Sequence, residues 1–192
     1  MAVTASAQPF GHTGEPERKV RMEMGVGLDA AITGIREVSN PAISLSPRIG
    51  FGGHFDMAVC IGRNFAIEAE VGYQKGSLMA KLGNSEHKVK TTTMDLPLLF
   101  SLRMLGSRLR LNLGPMFTLM SKAQYMADNT TMEFGNLHPT VSLAGGVAVC
   151  LGGHFQVEAR YIHELKETLN QYQGEEFTTR GHRITVGFAV IF

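Results

Sequence analysis

The chain has 192 residues, one domain's worth, and its 18 Lys+Arg nearly cancel 17 Asp+Glu, so no bulk charge draws it to nucleic acid. Charged residues make up only 18% of it, against roughly 25% in ordinary soluble domains, while Gly counts 22. No apolar run reaches the roughly 20 residues of a membrane-spanning helix, which excludes helical spans and leaves strands open.

At the N-terminus, AVTASAQ (residues 2–8) has the small residues Ala5 and Ala7 before a candidate signal-peptide cut at Ala7/Gln8. QPFGHTGEPERK (8–19) follows as a polar lead-in without periodicity. Residues 1–19 are therefore assigned to a leader remnant and lead-in, and 20–192 to one β domain.

From residue 20 the chain alternates with period two, the signature of strands. Val20, Met22, Met24, Val26 and Leu28 share one face, with Arg21, Glu23, Gly25, Gly27 and Asp29 on the other. In 47–61, Ile49, Phe51, Phe55, Met57, Val59 and Ile61 oppose Arg48, His54, Asp56 and Cys60. In 65–75, Phe65, Ile67, Ala69, Val71 and Tyr73 oppose Glu68, Glu70 and Gln74. Further strands are predicted near 91–105, 108–121, 140–151, 155–165 and 182–192, eight in all. Pro97 and Pro115 each lack a ladder donor, which predicts local bends or bulges there.

The connections alternate in length. Gly62-Arg63-Asn64, Gly106-Ser107 and Gly152-Gly153-His154 are tight turns, whereas 31–46, 76–90, 122–139 and 166–181 are long and polar. Short turns at one end, long loops at the other and an even strand number are the asymmetry of a membrane barrel. One strand–turn–strand phrase even occurs twice, as AVCIGRNFAIEA (58–69) and AVCLGGHFQVEA (148–159). The two copies are four strands apart, on opposite walls of an eight-stranded ring.

Volume decides which face points out. An eight-stranded barrel has an interior just wide enough to be filled by side chains, and roughly forty large apolar groups would overfill it. The Gly-, Ala-, Ser- and Thr-rich face with scattered charges fits inside, so the apolar face looks outward, and that needs lipid. The expected fold is all-β: an eight-stranded antiparallel up-and-down transmembrane β-barrel with short periplasmic turns and long extracellular loops. The expected location is the outer membrane of a Gram-negative cell.

The last strand ends in GHRITVGFAVIF, where Ile184, Val186, Phe188, Val190 and Phe192 alternate. This pattern resembles the C-terminal signal by which such barrels are recognised for insertion. MDLPLLFSLRM (94–104), RLRLNLGPMFTLM (108–120) and LAGGVAVCLGGHFQVEARY (143–161) together resemble the PorT-like outer-membrane β-barrel family of Bacteroidota, over residues 20–192. The resemblance implies fold and location more than activity. Some members of that family belong to type IX secretion and gliding assemblies.

The inward face carries the candidate site. Arg21, Glu23, Asp56, Glu68, Glu70, Arg103, Arg110, Glu158 and Arg160 share inward parity towards the tight-turn end. Buried charges persist when paired, so these residues are expected to plug the lumen with ion pairs and not to line a pore. Cys60 and Cys150 share that parity and lie on opposite walls, beyond the roughly 7 Å a disulfide tolerates, so unpaired buried thiols are expected. Two Cys without spaced His partners make no metal site, and no motif calls for a cofactor.

A rim enzyme would need His163 with Glu164, His182 or His138; His87 is assigned to a loop, and none of these forms a catalytic motif. Asn129-Thr130-Thr131 spells a glycosylation sequon, to which a bacterial barrel gives little weight. Phe65, Phe155 and Phe192 near the tight turns, with Tyr73 and Tyr161 further up, suit interfacial belts. The expected partners are outer-membrane lipid, the insertion machinery and an envelope or extracellular protein met by the loops, of which KLGNSEHKVK (81–90) is basic and KETLNQYQGEEFTTR (166–180) acidic. A soluble lipocalin-like carrier is the reading that reverses the two faces.

Overall fold

Alternation along each strand is matched by alternation in exposure, and the sense is apolar-out. In the computed structural model, which describes residues 20–127 and 130–192 (the side chains of 36 and 37 excepted), Leu28 is 73% exposed and Phe51 68%, while Glu68, Arg103, Arg110 and Arg160 are buried. This arrangement removes the lipocalin-like alternative. The leader remnant at 1–19 and the sequon residue at 129 lie outside the described residues.

Among the described residues, eleven strand segments make up the wall: β1 (Val20–Val38), β2 (Ile43–Pro47), β3 (Ile49–Ile61), β4 (Phe65–Leu82), β5 (Ser85–Met104), β6 (Leu109–Ala127), β7 (Thr130–Gly135), β8 (Val141–Leu151), β9 (Phe155–Glu164), β10 (Thr168–Tyr172) and β11 (Glu175–Ile191). Eight of them close a ring in the order β1, β3, β4, β5, β6, β8, β9, β11. The antiparallel seam between β1 and β11 completes it, from Gly25 opposite Ile191 to Val38 opposite Thr179. Segments β2, β7 and β10 continue the ring above β3, β8 and β9, pairing with β4, β6 and β11.

The tight turns stand where glycine places them. Gly62, Gly106 and Gly152 adopt φ of 66°, 67° and 66°, left-handed values that a side chain disfavours. The long connections differ from expectation: their residues lie mostly in strands, and three of the four, β4–β5, β6–β7 and β10–β11, are paired hairpins, whereas β1 and the β2 that follows it pair with β11 and β4. β4 runs on to Leu82 and returns through Gly83 and Asn84 into β5, and β10 returns through Gln173 and Gly174 into β11. The polar residues of these stretches are the water-facing half of strands whose other half is apolar, and this mixture hides the alternation.

Both prolines interrupt their ladders without shifting register. The β4–β5 ladder stops at Ala69/Leu98 and resumes at Gly72/Asp95, and the β5–β6 ladder skips from Pro97/Met116 to Phe100/Leu113. The bulge lies higher, where Met94 faces Met120 but Asp95 faces Thr118. The extra residue reverses the inward parity of β6, from Met116 and Thr118 below to Ala123 and Tyr125 above.

Around the lower ring the outward face is apolar from the Phe65 level to the Tyr73 level. Eight residues at about 3.3 Å and a tilt of about 40° give about 20 Å along the barrel axis, close to the roughly 25 Å apolar band of membrane barrels. Above Tyr73 the polarity inverts. Outward positions become Lys75, Lys81, Lys88, Lys90 and Lys122, all exposed, while the interior holds Ile43, Leu78, Val89, Tyr125, Phe134, Leu137, Tyr172 and Phe177. The near half is thus built for lipid and the far half for water.

Candidate functional site: the filled lumen

The interior of the near half is a stack of ion pairs. The first cluster centres on Glu23 of β1. One nitrogen of Arg103 donates to both of its carboxylate oxygens at 2.8 Å, Arg110 donates at 3.1 Å, and Arg21 lies at 2.9 Å. Glu68 faces the other side of Arg103 at 3.5 Å and accepts from Asn112 at 3.2 Å. Arg103 and Arg110 are almost fully buried, so Glu23 and Glu68 offset a charge that water cannot reach.

The second cluster centres on Arg160 of β9, which donates to Glu70 at 3.1 and 2.8 Å and to Glu158 at 3.1 and 3.2 Å. Gln156 caps Glu158 at 3.4 Å. Asp56 joins neither arginine cluster. It faces His54 Nε2 at 3.9 Å, while His54 Nδ1 pairs with Asp29 at 2.7 Å. Gly25 and Gly27 of β1 make this packing possible, because a Cβ at either would collide with the Asp56 carboxylate or the His54 ring. The sequence-predicted network is therefore three groups, not one.

Two further pairs lie along the same inward parity and were missed. Arg183 of β11 donates to Asp95 at 2.7 Å and Gln74 at 3.2 Å, with Thr118 also donating to Asp95 at 2.9 Å. His138 pairs with Glu164 at 2.7 Å, and Glu164 also accepts the Gly181 amide at 2.7 Å. Their signal was present in the alternation: Asp95 is inward in MDLPLLF and Arg183 is inward in GHRITVGF.

The insertion-signal residues Ile184, Val186 and Phe188 point outward, and Phe188 stacks on Phe155 with ring centroids 5.7 Å apart. Val190 pairs with Phe155 in the ladder, and Phe192 exchanges backbone hydrogen bonds with Met24 at 2.7 and 3.2 Å. Cys60 and Cys150 are free and buried.

The histidine candidates disperse. His163 lies outside, opposite His182 and stacked near Tyr161, whereas Glu164 points inward to His138. His87 is not in a loop. It lies in β5 and meets the Tyr172 hydroxyl at 2.8 Å. Asp29, His54 and Glu158 bring ligand-type atoms within 4.8 Å of one another, but each residue is already engaged by the ion pairs above.

Higher up, an aromatic cluster closes the far half. Tyr125 and Tyr172 meet edge-on at 5.1 Å, and Phe134 meets Phe177 edge-on at 5.6 Å. Tyr172 donates to the Ala80 carbonyl at 3.0 Å, and burial holds its phenol above the ordinary pKa, so it stays protonated to do so. Cavities of about 20 and 30 Å³, each room for a water, lie among these side chains. Among the described residues, charged side chains crowd the lower lumen and aromatic ones the upper, with buried apolar groups such as Leu99, Met116, Ala144 and Ile162 packed among them.

The fold has solved counterparts. OprG of Pseudomonas aeruginosa, an outer-membrane protein, superposes with a TM-score of 0.62 at 11% identity, over 89% of this chain and 95% of that one. Neisserial surface protein A gives 0.54 at 15% identity, over 87% and 96%, and Ail of Yersinia pestis gives 0.51 at 10%, over 89% and 99%. No family model and no curated protein matches the sequence. At these identities the likeness is one of fold, that of the small outer-membrane β-barrels.

Proposed function

We propose that this chain is a non-enzymatic protein of the outer membrane whose working surface is the rigid, water-facing far half of its barrel. The observation that carries the reading is the inversion of polarity above Tyr73. The near half exposes Phe51, Phe100 and Phe188 to lipid, and the far half buries Phe134, Tyr172 and Phe177. A barrel that only anchored itself would have no need of a second, aromatic core beyond the bilayer. That core braces three hairpins and the β1–β2 connection into a platform for a protein partner in the envelope or outside the cell. Side chains fill the lumen, which supports a display role over a conduit.

Membrane fractionation with heat-modifiable gel mobility tests location and barrel together. A photo-crosslinker at Asn84 or Gly174, at the hairpin tips, then tests display. A discrete partner adduct is expected from the tips and none from Gly106 at the tight-turn end; adducts only from the tight-turn end would refute it. A second reading, a PorT-like component of a secretion or gliding assembly, draws support from the motifs at 94–104, 108–120 and 143–161. Co-purification with a large envelope complex would favour it.

A further inference from the structure

Two histidines face each other on the outer wall. His182 of β11 is directly opposite His163 of β9, at the last rung of that ladder. The Ile191 amide donates to the His154 carbonyl at 2.7 Å, which fixes the phase of the pairing. His182 and His163 lie an odd number of rungs away with no shift of register. Theirs is therefore a non-hydrogen-bonded rung, the kind that brings facing Cα atoms to about 4.5 Å. The other edge of β11 agrees. Phe192 and Met24 exchange both backbone bonds, and the rung of His182 with Gly34 lies an even number further on, so the His182 backbone bonds to β1.

Both imidazoles are unclaimed. Among the described residues neither ring has a hydrogen bond or an ion pair, and His182 Nδ1 is shielded from water without a partner. This sets the pair apart from Asp29, His54 and Glu158, which ion pairs already hold. Tyr161 stacks on both rings, with centroids 5.6 Å from His182 and 6.5 Å from His163. Gly34 gives the His182 ring its room, since a Cβ there would collide with Nε2 and Cε1. Both histidines are half-buried, one step beyond Tyr161 at the upper edge of the apolar belt, where ions of the water phase reach them.

The donor set selects the ligand. Facing Cβ atoms about 4.5–5.5 Å apart let two imidazoles turn onto one ion at metal–nitrogen distances of about 2.0–2.1 Å. The outward neighbours are Gly34, Leu143, Leu165, Ile184 and Arg180, the last turned onto the Glu164 carbonyl at 3.2 Å. None is a carboxylate. Neutral nitrogen donors alone suit Cu²⁺, Ni²⁺ and Zn²⁺ and not Ca²⁺ or Mg²⁺. We infer that His163 and His182 form a two-imidazole site for a divalent transition-metal ion, copper held tightest, with water in the remaining positions. The ion clamps β9 to β11 at the rung above which their ladder stops and β10 takes over beside β11. The site is independent of the display role.

The test titrates the untagged full chain, folded in uncharged detergent, with copper(II) chloride, followed by calorimetry and electron paramagnetic resonance. Wild type should bind an equivalent of copper whose spectrum shows coupling to both imidazole nitrogens. Loss of a partner outside the ligand shell costs a metal site about 10–100-fold, so loss of a ligand, in His163→Ala or His182→Ala, should weaken that equivalent by about 100-fold or more. His154→Ala at the tight-turn end should leave it intact. Retained heat-modifiable mobility of the variants separates loss of the site from loss of the fold. Copper should also raise the urea midpoint of wild type progressively with its concentration, a shift absent from the double alanine variant. Retention of that equivalent by the folded double variant, a spectrum with one nitrogen or none, or equal affinity for Ca²⁺ would overturn the inference.

Discussion

Replacing Glu23 by Gln tests the logic of the filled lumen most directly. The substitution keeps volume and shape but withdraws the carboxylate that Arg103, Arg110 and Arg21 share at 2.8, 3.1 and 2.9 Å. Arg103 is 1% exposed and keeps only Glu68, at 3.5 Å. Removing one partner of a buried pair costs about 3–5 kcal/mol, because the remaining charge is stranded away from water. With no Trp for fluorescence, urea unfolding in lipid vesicles is followed by the circular dichroism of the strands. Glu23→Gln should lower the unfolding free energy by about 3–5 kcal/mol, and adding Arg103→Met should recover part of the loss. A change below about 1 kcal/mol, or a double variant as unstable as the sum of the singles, would mean that the network is hydrated and the lumen is not the sealed medium described above.

The lipid boundary has its own pair of substitutions. Leu98→Arg, near mid-belt, should cost about 2–4 kcal/mol in vesicles, whereas Leu169→Arg, 63% exposed above the belt, should change stability by no more than about 0.5 kcal/mol. Phe134→Ala should cost about 3–5 kcal/mol and expose the far hairpins to limited proteolysis while the near half stays protected. Tyr172→Phe loses the bonds to Ala80 and His87 and should cost about 1–2 kcal/mol in the same unfolding assay. Cys60 and Cys150 should resist maleimide in the folded protein and react after denaturation, with equal labelling before and after adding reductant.

Much of this was legible because membrane barrels write their inside and outside in alternate letters. Phe51, Ile67, Val157 and Phe188 fall outward and Glu68, Arg103 and Arg160 inward, as volume demanded. The far half was harder. Stretches such as KLGNSEHKVK read as loop because charge dominates them, yet Leu82, His87 and Val89 alternate with those charges and turn towards the aromatic core. The bulge at Met94, Met120 and Thr118 leaves no mark in composition, so the parity switch in β6 could not be read. Nor could the pairing of individual charges. Asp56 shares its parity with Glu68 and Glu70 but meets a histidine, because the stagger of the ring decides which inward residues come level.

The seam also bears on how the molecule is made. Gly25 lies against Ile191, so β1, which pairs with β3 on one side, gains its other neighbour only when β11, already beside β9, is brought round to it. Contacts of such long sequence separation form slowly. Pairing β1 with β11 is what turns an open, twisted sheet with two exposed edges into a ring with none.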